Sequence, residues 1–199
     1  MKAYDRAYFD QWYRDPRFRL RSASDIARKV GMALAVAEHV LERPVRSVLD
    51  VGCGEAPWFG VLRRLRPRAR YTGVDESEYV VRRFGRRRHI RRGSFGRLDR
   101  ARLADRYDLI VVCDVLHYVP TAEVARGLAF LAERLEGVAF LEAYTSRDDI
   151  DGDVAGFQRR SPDAYRRLFT RAGFAPIGLH CYVGAELRGT LTALELPCG

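Results

Sequence analysis

At 199 residues, 47% of them hydrophobic and 11% aromatic, the chain is long enough for one globular domain with a real core and too short for two comfortable ones. It opens on no charged-then-apolar leader and holds no apolar run long enough to cross a bilayer, so a soluble, cytoplasmic protein with no membrane partner is expected. The formal net charge is +9; only Lys2 and Lys29 are lysines among the 35 basic residues, and this arginine excess admits an anionic partner without naming one.

From the N-terminus, Tyr4 to Pro16 is aromatic and charged, and its Tyr4, Tyr8, Trp12 and Tyr13 either close a lid over a site or pack a cap onto the body. A helix begins at Ser24 with Asp25 in its first turn, carries Ile26, Val30, Leu34, Ala37 and Leu41 at near-helical spacing, and stops before Pro44. Residues 1–44 therefore read as a cap on a domain of residues 45–199.

Strands and helices then alternate. Val45 to Val51 is a strand, Pro57 to Leu65 a helix opened by proline, and Tyr71 to Val74 a second strand. Ser77 caps a short helix to Phe84, and His89 to Arg92 reads as a third strand. Tyr107 to Asp114 is a β-branched run of the kind buried on both sheet faces. A helix from Thr121 to about Leu135, a strand from Val138 to Glu142 and a helix opened by Ser161-Pro162 follow. Pro176 to Val183 and Thr190 to Leu196 are two strand-like segments with no helix between them, which fits an antiparallel hairpin. This rhythm predicts an α/β, Rossmann-like three-layer sandwich with a mainly parallel sheet. Right-handed crossovers place the turn after the first strand, Asp75 and Asp114 on one sheet edge.

Cys53, Cys113, Cys181 and Cys198 lack metal-like spacing and read as small reduced hydrophobes, with no metal site expected. The chemistry gathers instead at Ser47-Val48-Leu49-Asp50-Val51-Gly52-Cys53-Gly54, where a strand runs into an acid and a glycine pair. Gly52 and Gly54 let backbone approach a ligand closely, Asp50 can brace the loop or face a positive group, and Asp75 can take both hydroxyls of a ribose. Pro57 stands where the third glycine of a dinucleotide fingerprint belongs, and Asp25 stands four before Lys29 where a short-chain dehydrogenase has tyrosine. Hydride transfer is disfavoured on both counts.

Val48-Leu49-Asp50-Val51-Gly52-Cys53-Gly54 resembles the first motif of class I S-adenosylmethionine-dependent methyltransferases. Tyr71 to Glu76 resembles their second, and Tyr107 to Tyr118, ending Asp114-Val115-Leu116-His117-Tyr118, their fourth. The resemblance covers roughly Val45 to Leu196. It implies a seven-stranded sheet with the last, inserted strand antiparallel, S-adenosylmethionine as cofactor and S-adenosylhomocysteine as product. It also implies that Asp50, Gly52, Cys53 and Gly54 line the methionine part, that Asp75 with Glu76 holds the ribose, and that Asp114, Val115 and Leu116 flank the sulfonium. Where the family often has Gly-Asp before the adenine contact, this chain has Gly93-Ser94-Phe95, and the Ser94 hydroxyl is a weaker acceptor than a carboxylate.

A small-molecule acceptor with an oxygen, nitrogen or carbon nucleophile is the expected partner. His117 is the candidate base, with packing against the cofactor site as its alternative role. Tyr8, Trp12, Arg19, Tyr118 and Tyr144 are candidates for the substrate side and its lid, and Arg19 and Arg28 can meet a carboxylate or phosphate. The long connection from Ala143 to Arg160 leaves the edge where the chemistry belongs, as either a substrate-selecting lid or a solvated loop. Arg82, Arg83, Arg86, Arg87, Arg88, Arg91 and Arg92 form the densest basic cluster, placed by this reading on the edge away from the cofactor. It is either a solvated face or a surface for RNA or another polyanion. RNA or protein substrates, and a non-catalytic cofactor-binding module, are the alternatives to the small-molecule enzyme.

Overall fold

A computed structural model describes residues 4–18, 22–150 and 152–192. The N-terminal segment folds as a short helix α1 (Arg6–Phe9) running into a π-helical turn (Asp10–Arg14). Helix α2 (Ala23–Leu41) starts earlier than Ser24 because Ser22 caps it: its side chain accepts from the Asp25 N–H while the Asp25 carboxylate accepts from the Ser22 N–H.

Strand β1 (Ser47–Val51), helix α3 (Pro57–Leu65), strand β2 (Arg70–Asp75) and helix α4 (Glu78–Arg88) follow. The first strand starts after Val45, whose N–H is taken by the Glu38 carboxylate instead of a ladder partner. Helix α4 runs a turn beyond Phe84 and ends where His89 adopts φ +54, so strand β3 (Ile90–Arg92) begins one residue after His89. A 3-10 stretch (Phe95–Ala101), absent from the sequence reading, links it to β4 (Tyr107–Cys113). After a 3-10 turn (Leu116–Tyr118), α5 (Thr121–Ala132) ends short of Leu135, which already belongs to β5 (Leu135–Glu142).

Helix α6 (Pro162–Arg171) leads to β6 (Ala175–Gly178), β7 (Cys181–Val183) and the short α7 (Ala185–Arg188). The antiparallel hairpin exists, but both its strands come from the Pro176–Val183 segment, split where Leu179 and His180 take positive φ. Residues 190–192 are not strand, and the rest of the expected final strand, with Cys198, lies outside the described residues.

The seven strands are ordered β3-β2-β1-β4-β5-β7-β6. The first five are parallel, and β7 is inserted antiparallel to both its neighbours. Successive residues point to opposite faces, so Val48, Leu109, Val111, Val138 and Phe140 pack under α2, α3 and α4. Leu49, Ile110, Val112, Ala139 and Leu141 pack under α5, α6 and the Phe95–Ala101 stretch. Cap helix α2 belongs to the first of these cores through the fully buried Val30, Ala33 and Ala37.

Strand order reverses between β1 and β4, and such a switch point leaves a crevice at the carboxyl ends of the strands. In register, Val51 lies opposite both Val74 and Val112, so Gly52, Asp75 and Cys113 leave the sheet at one level.

Candidate active site

A cavity of about 540 Å³ opens above that switch point, a size typical of small-molecule sites. Its floor is the turn after β1. Gly52 has φ +69 and donates to the Val74 carbonyl at 2.7 Å, and a Cβ there would collide with Val115. Gly54 has φ +53, and a Cβ would collide with the Tyr13 hydroxyl. The glycine pair thus leaves bare backbone between two walls.

Asp75 is fixed by two main-chain donors. Gly54 N–H reaches one carboxylate oxygen at 2.7 Å and Ser77 N–H the other at 2.8 Å. Burial raises its pKa, and those two N–H groups pull it back. Glu76 is raised by burial and by the neighbouring Asp75 and Glu123 carboxylates. Asp50, 3% exposed, accepts the Tyr71 hydroxyl at 2.7 Å. Burial, together with Asp75, pushes its pKa up to about 7 against that hydrogen bond.

Asp50, Gly52, Cys53, Gly54, Asp75, Glu76, Ser94, Phe95, Asp114 and Val115 all line the cavity. Leu116 does not: it is fully buried in the core beneath α5. His117, Tyr8, Trp12, Tyr118 and Tyr144 line it too, whereas Arg19 lies outside the described residues. Arg28 is not part of the wall; it pairs with Asp25 on the exposed side of α2.

His117 is 2% exposed, wedged against Tyr118, Tyr144 and Phe157 with centroid separations of 4.3, 5.4 and 5.3 Å. Its Nδ1 accepts from the Tyr144 N–H at 3.4 Å.

The roof has two sources. The N-terminal segment supplies Tyr4, Tyr8, Phe9, Trp12 and Tyr13, tied down where the Ser77 hydroxyl donates to the Tyr4 carbonyl at 2.5 Å. The connection after β5 supplies Ile150, Gly152 and Asp153, and the Tyr118 hydroxyl donates to the Asp153 carbonyl at 2.6 Å. That connection therefore folds back over the cavity.

Several wall residues carry no motif in the sequence. Lys29 on α2 places its ammonium 2.8 and 2.5 Å from the two Glu142 oxygens, and the Cys113 thiol donates to Glu142 at 2.9 Å. Cys113, Asp114 and Glu142 bring three potential metal-ligating atoms within 4.8 Å of one another, and the Lys29 ammonium already supplies a cation there. Glu123, on α5, reaches the cavity beside Gly96. Arg160, 7% exposed, clamps the segment after β4, donating to the Leu116 carbonyl at 2.8 Å, to the Thr121 hydroxyl at 2.9 Å and to the Val119 carbonyl.

The arginine cluster is not confined to the far edge. Arg92 lies opposite Asp75 in the β2–β3 register, and the Arg88 guanidinium reaches back to the Glu55 carbonyl beside the glycine turn.

Compared with known proteins, residues 21–179 match the model of a family described as a methyltransferase domain. A search of curated proteins finds none that matches this chain. Among solved structures, DesVI of Streptomyces venezuelae is 17% identical with a TM-score of 0.61, covering 80% of this chain and 92% of its own. The sugar N-methyltransferase KedS8 of Streptoalloteichus is 18% identical with a TM-score of 0.62, covering 79% of this chain and 82% of its own. The magnesium protoporphyrin IX methyltransferase of Synechocystis, solved with bound SAM, is 18% identical with a TM-score of 0.60, covering 86% and 82%. At these identities the likeness is one of fold.

Proposed function

Because the chain belongs to this methyltransferase-domain family, whose methyl donor is S-adenosylmethionine, we propose that it methylates a small-molecule acceptor in the switch-point cavity and releases S-adenosylhomocysteine. One observation carries the reading. The bare backbone at Gly52 and Gly54 stands beside an Asp75 carboxylate whose two oxygens are aimed by main-chain donors.

When bound, the cofactor supplies an activated sulfonium methyl. Asp75 and Glu76 would hold the ribose hydroxyls, Ser94 and Phe95 the adenine, and Asp50 with the Gly52–Gly54 turn the amino-acid end. Asp114 and Val115, which line the cavity, would border the reacting methyl; Leu116, the third residue of that expectation, lies in the core behind them. Residues 1–44 cap the domain of residues 45–199, and Tyr8, Trp12, Tyr118 and Tyr144 enclose the acceptor and exclude water. Orientation of this kind accounts for roughly 7–11 kcal/mol of a barrier.

His117 is a wall and a donor rather than the base: with Nδ1 accepting from Tyr144, the proton of the neutral ring is assigned to Nε2. The fold neighbours named as acting on a sugar and a porphyrin support a small-molecule acceptor. No helix among the described residues is long and apolar enough to cross a membrane.

Incubation with methyl-labelled S-adenosylmethionine and a panel of small amines, phenols and carboxylic acids tests the reading. Label is expected in a small product, and label found only in RNA or protein overturns the small-molecule acceptor. One observation favours RNA as a second reading: the exposed Arg91 and Arg92 run along edge strand β3 up to the level of Asp75. Steeply salt-dependent RNA binding would support it.

A further inference from the structure

The surface and the cavity of this protein carry opposite charge. The chain has a formal net charge of +9. Yet the cavity is lined, among the described residues, by the carboxylates of Asp50, Asp75, Glu76, Asp114, Glu123 and Asp153 against the single ammonium of Lys29. That ammonium is matched by Glu142. The cofactor reading uses Asp50, Asp75, Glu76 and Asp114, and leaves Glu123 beside Gly96 and Asp153 in the roof.

Asp153 sits in a ring of phenols. The Tyr8 hydroxyl bonds its carboxylate, and the Tyr4 and Tyr118 hydroxyls stand near enough to feel its charge. Burial first, and Asp153 among the nearby charges, hold all three hydroxyls well above the ordinary tyrosine range, so they remain neutral donors. With Trp12 and Tyr144 they line the same roof as the Asp153 carboxylate, whose Oδ1 also accepts from the Ala155 N–H at 2.9 Å. A carboxylate set among aromatic side chains suits a cation: the acid attracts it through its charge, and rings that line the same cavity add to this where the cation meets their faces. An anionic acceptor would meet the repulsion of Asp153 and Glu123 there.

Resting on the methyltransferase reading, we propose that the acceptor is an amine, recognised in its protonated form by Asp153 and the Tyr4–Tyr8–Tyr118 ring wall. The ammonium loses a proton to solvent before transfer. The nitrogen lone pair forms the new N–CH₃ bond as the C–S bond breaks with its electron pair left on sulfur, and the methylammonium product leaves carrying the positive charge.

Isosteric probes test this. With S-adenosylhomocysteine present, binding of phenethylamine and cyclohexylamine is measured by calorimetry beside their alcohol and carboxylate counterparts, on wild type and Asp153→Asn. The amines are expected to bind at least tenfold tighter than either counterpart in wild type. That preference should fall to within about threefold in the variant, with S-adenosylhomocysteine affinity retained. Equal or better binding of the alcohols or carboxylates, or no binding by either amine, overturns the amine assignment while leaving the cofactor site standing. Failure of wild type to bind S-adenosylhomocysteine overturns the methyltransferase reading and this inference with it.

Discussion

Asp50 is the residue whose ionisation most affects the site. Its carboxyl group is buried under the glycine turn with the Tyr71 hydroxyl as partner, and its pKa rises from 3.8 to about 7. A folded pKa above the unfolded one means the protonated acid favours folding, fully so below about pH 4. That contribution is lost as pH rises through about 7. Wild type should therefore lose melting temperature relative to Asp50→Asn between about pH 5 and pH 8, a pH series of thermal melts being the measurement. Parallel pH profiles would show that the carboxyl does not titrate there. At this scale the sequence was a good guide to position for residues at strand ends: Gly52, Gly54, Asp75 and Asp114 all line the one cavity. It gave no role to Lys29 or Glu123, and held Asp153 and Arg160 only within a connection read as either a lid or a solvated loop. Their partners lie on elements distant in the chain, so no local spacing announces them.

The elements are held in register on the edge away from the cavity by Asp108 at the start of β4. Its oxygens accept from the Arg43 guanidinium at 2.8 and 2.9 Å and from the main chain of Arg46 and Ser47. Burial works against the charge, but Arg43 and the Arg46 N–H outweigh it and hold the carboxyl below the usual carboxylate range. A depressed folded pKa places the stabilisation above about pH 4, to be lost as pH falls through the folded value. Asp108→Asn should cost about 3 kcal/mol at pH 7 by urea unfolding. The difference should narrow on acidification, and S-adenosylhomocysteine binding should be retained. A variant as stable as wild type at pH 7 would deny the staple its role.

Element ends were less legible than element identities for physical reasons. Ser22, not Ser24, satisfies the first-turn donors of α2, and positive φ at Leu179 and His180 bends one apolar run into two strands. The Phe95–Ala101 stretch has no amphipathic period to betray it. It is shaped by Phe95 packing against Gly127 of α5, where a Cβ would collide with the ring.

At the scale of the molecule, the parallel core strands and an antiparallel finish follow from the alternating strand and helix runs, the insertion of β7 is what the family resemblance implies, and the switch point follows from the strand order. The roof follows from neither: the N-terminal aromatics read equally as lid or cap packing and the connection after β5 as lid or solvated loop, and the two segments meet through Tyr8, Tyr118 and Asp153. The claim on which everything else rests is that this cavity holds an adenosyl thioether through Asp75. It is tested most directly by thermal unfolding with and without S-adenosylhomocysteine, on wild type and on Asp75→Ala. Ligand at about a hundred times its dissociation constant adds roughly 2.7 kcal/mol, or about 5–10 °C for a domain of this size. The account predicts that shift in wild type and its loss in the variant. No shift in wild type, or an equal one in Asp75→Ala, would contradict it.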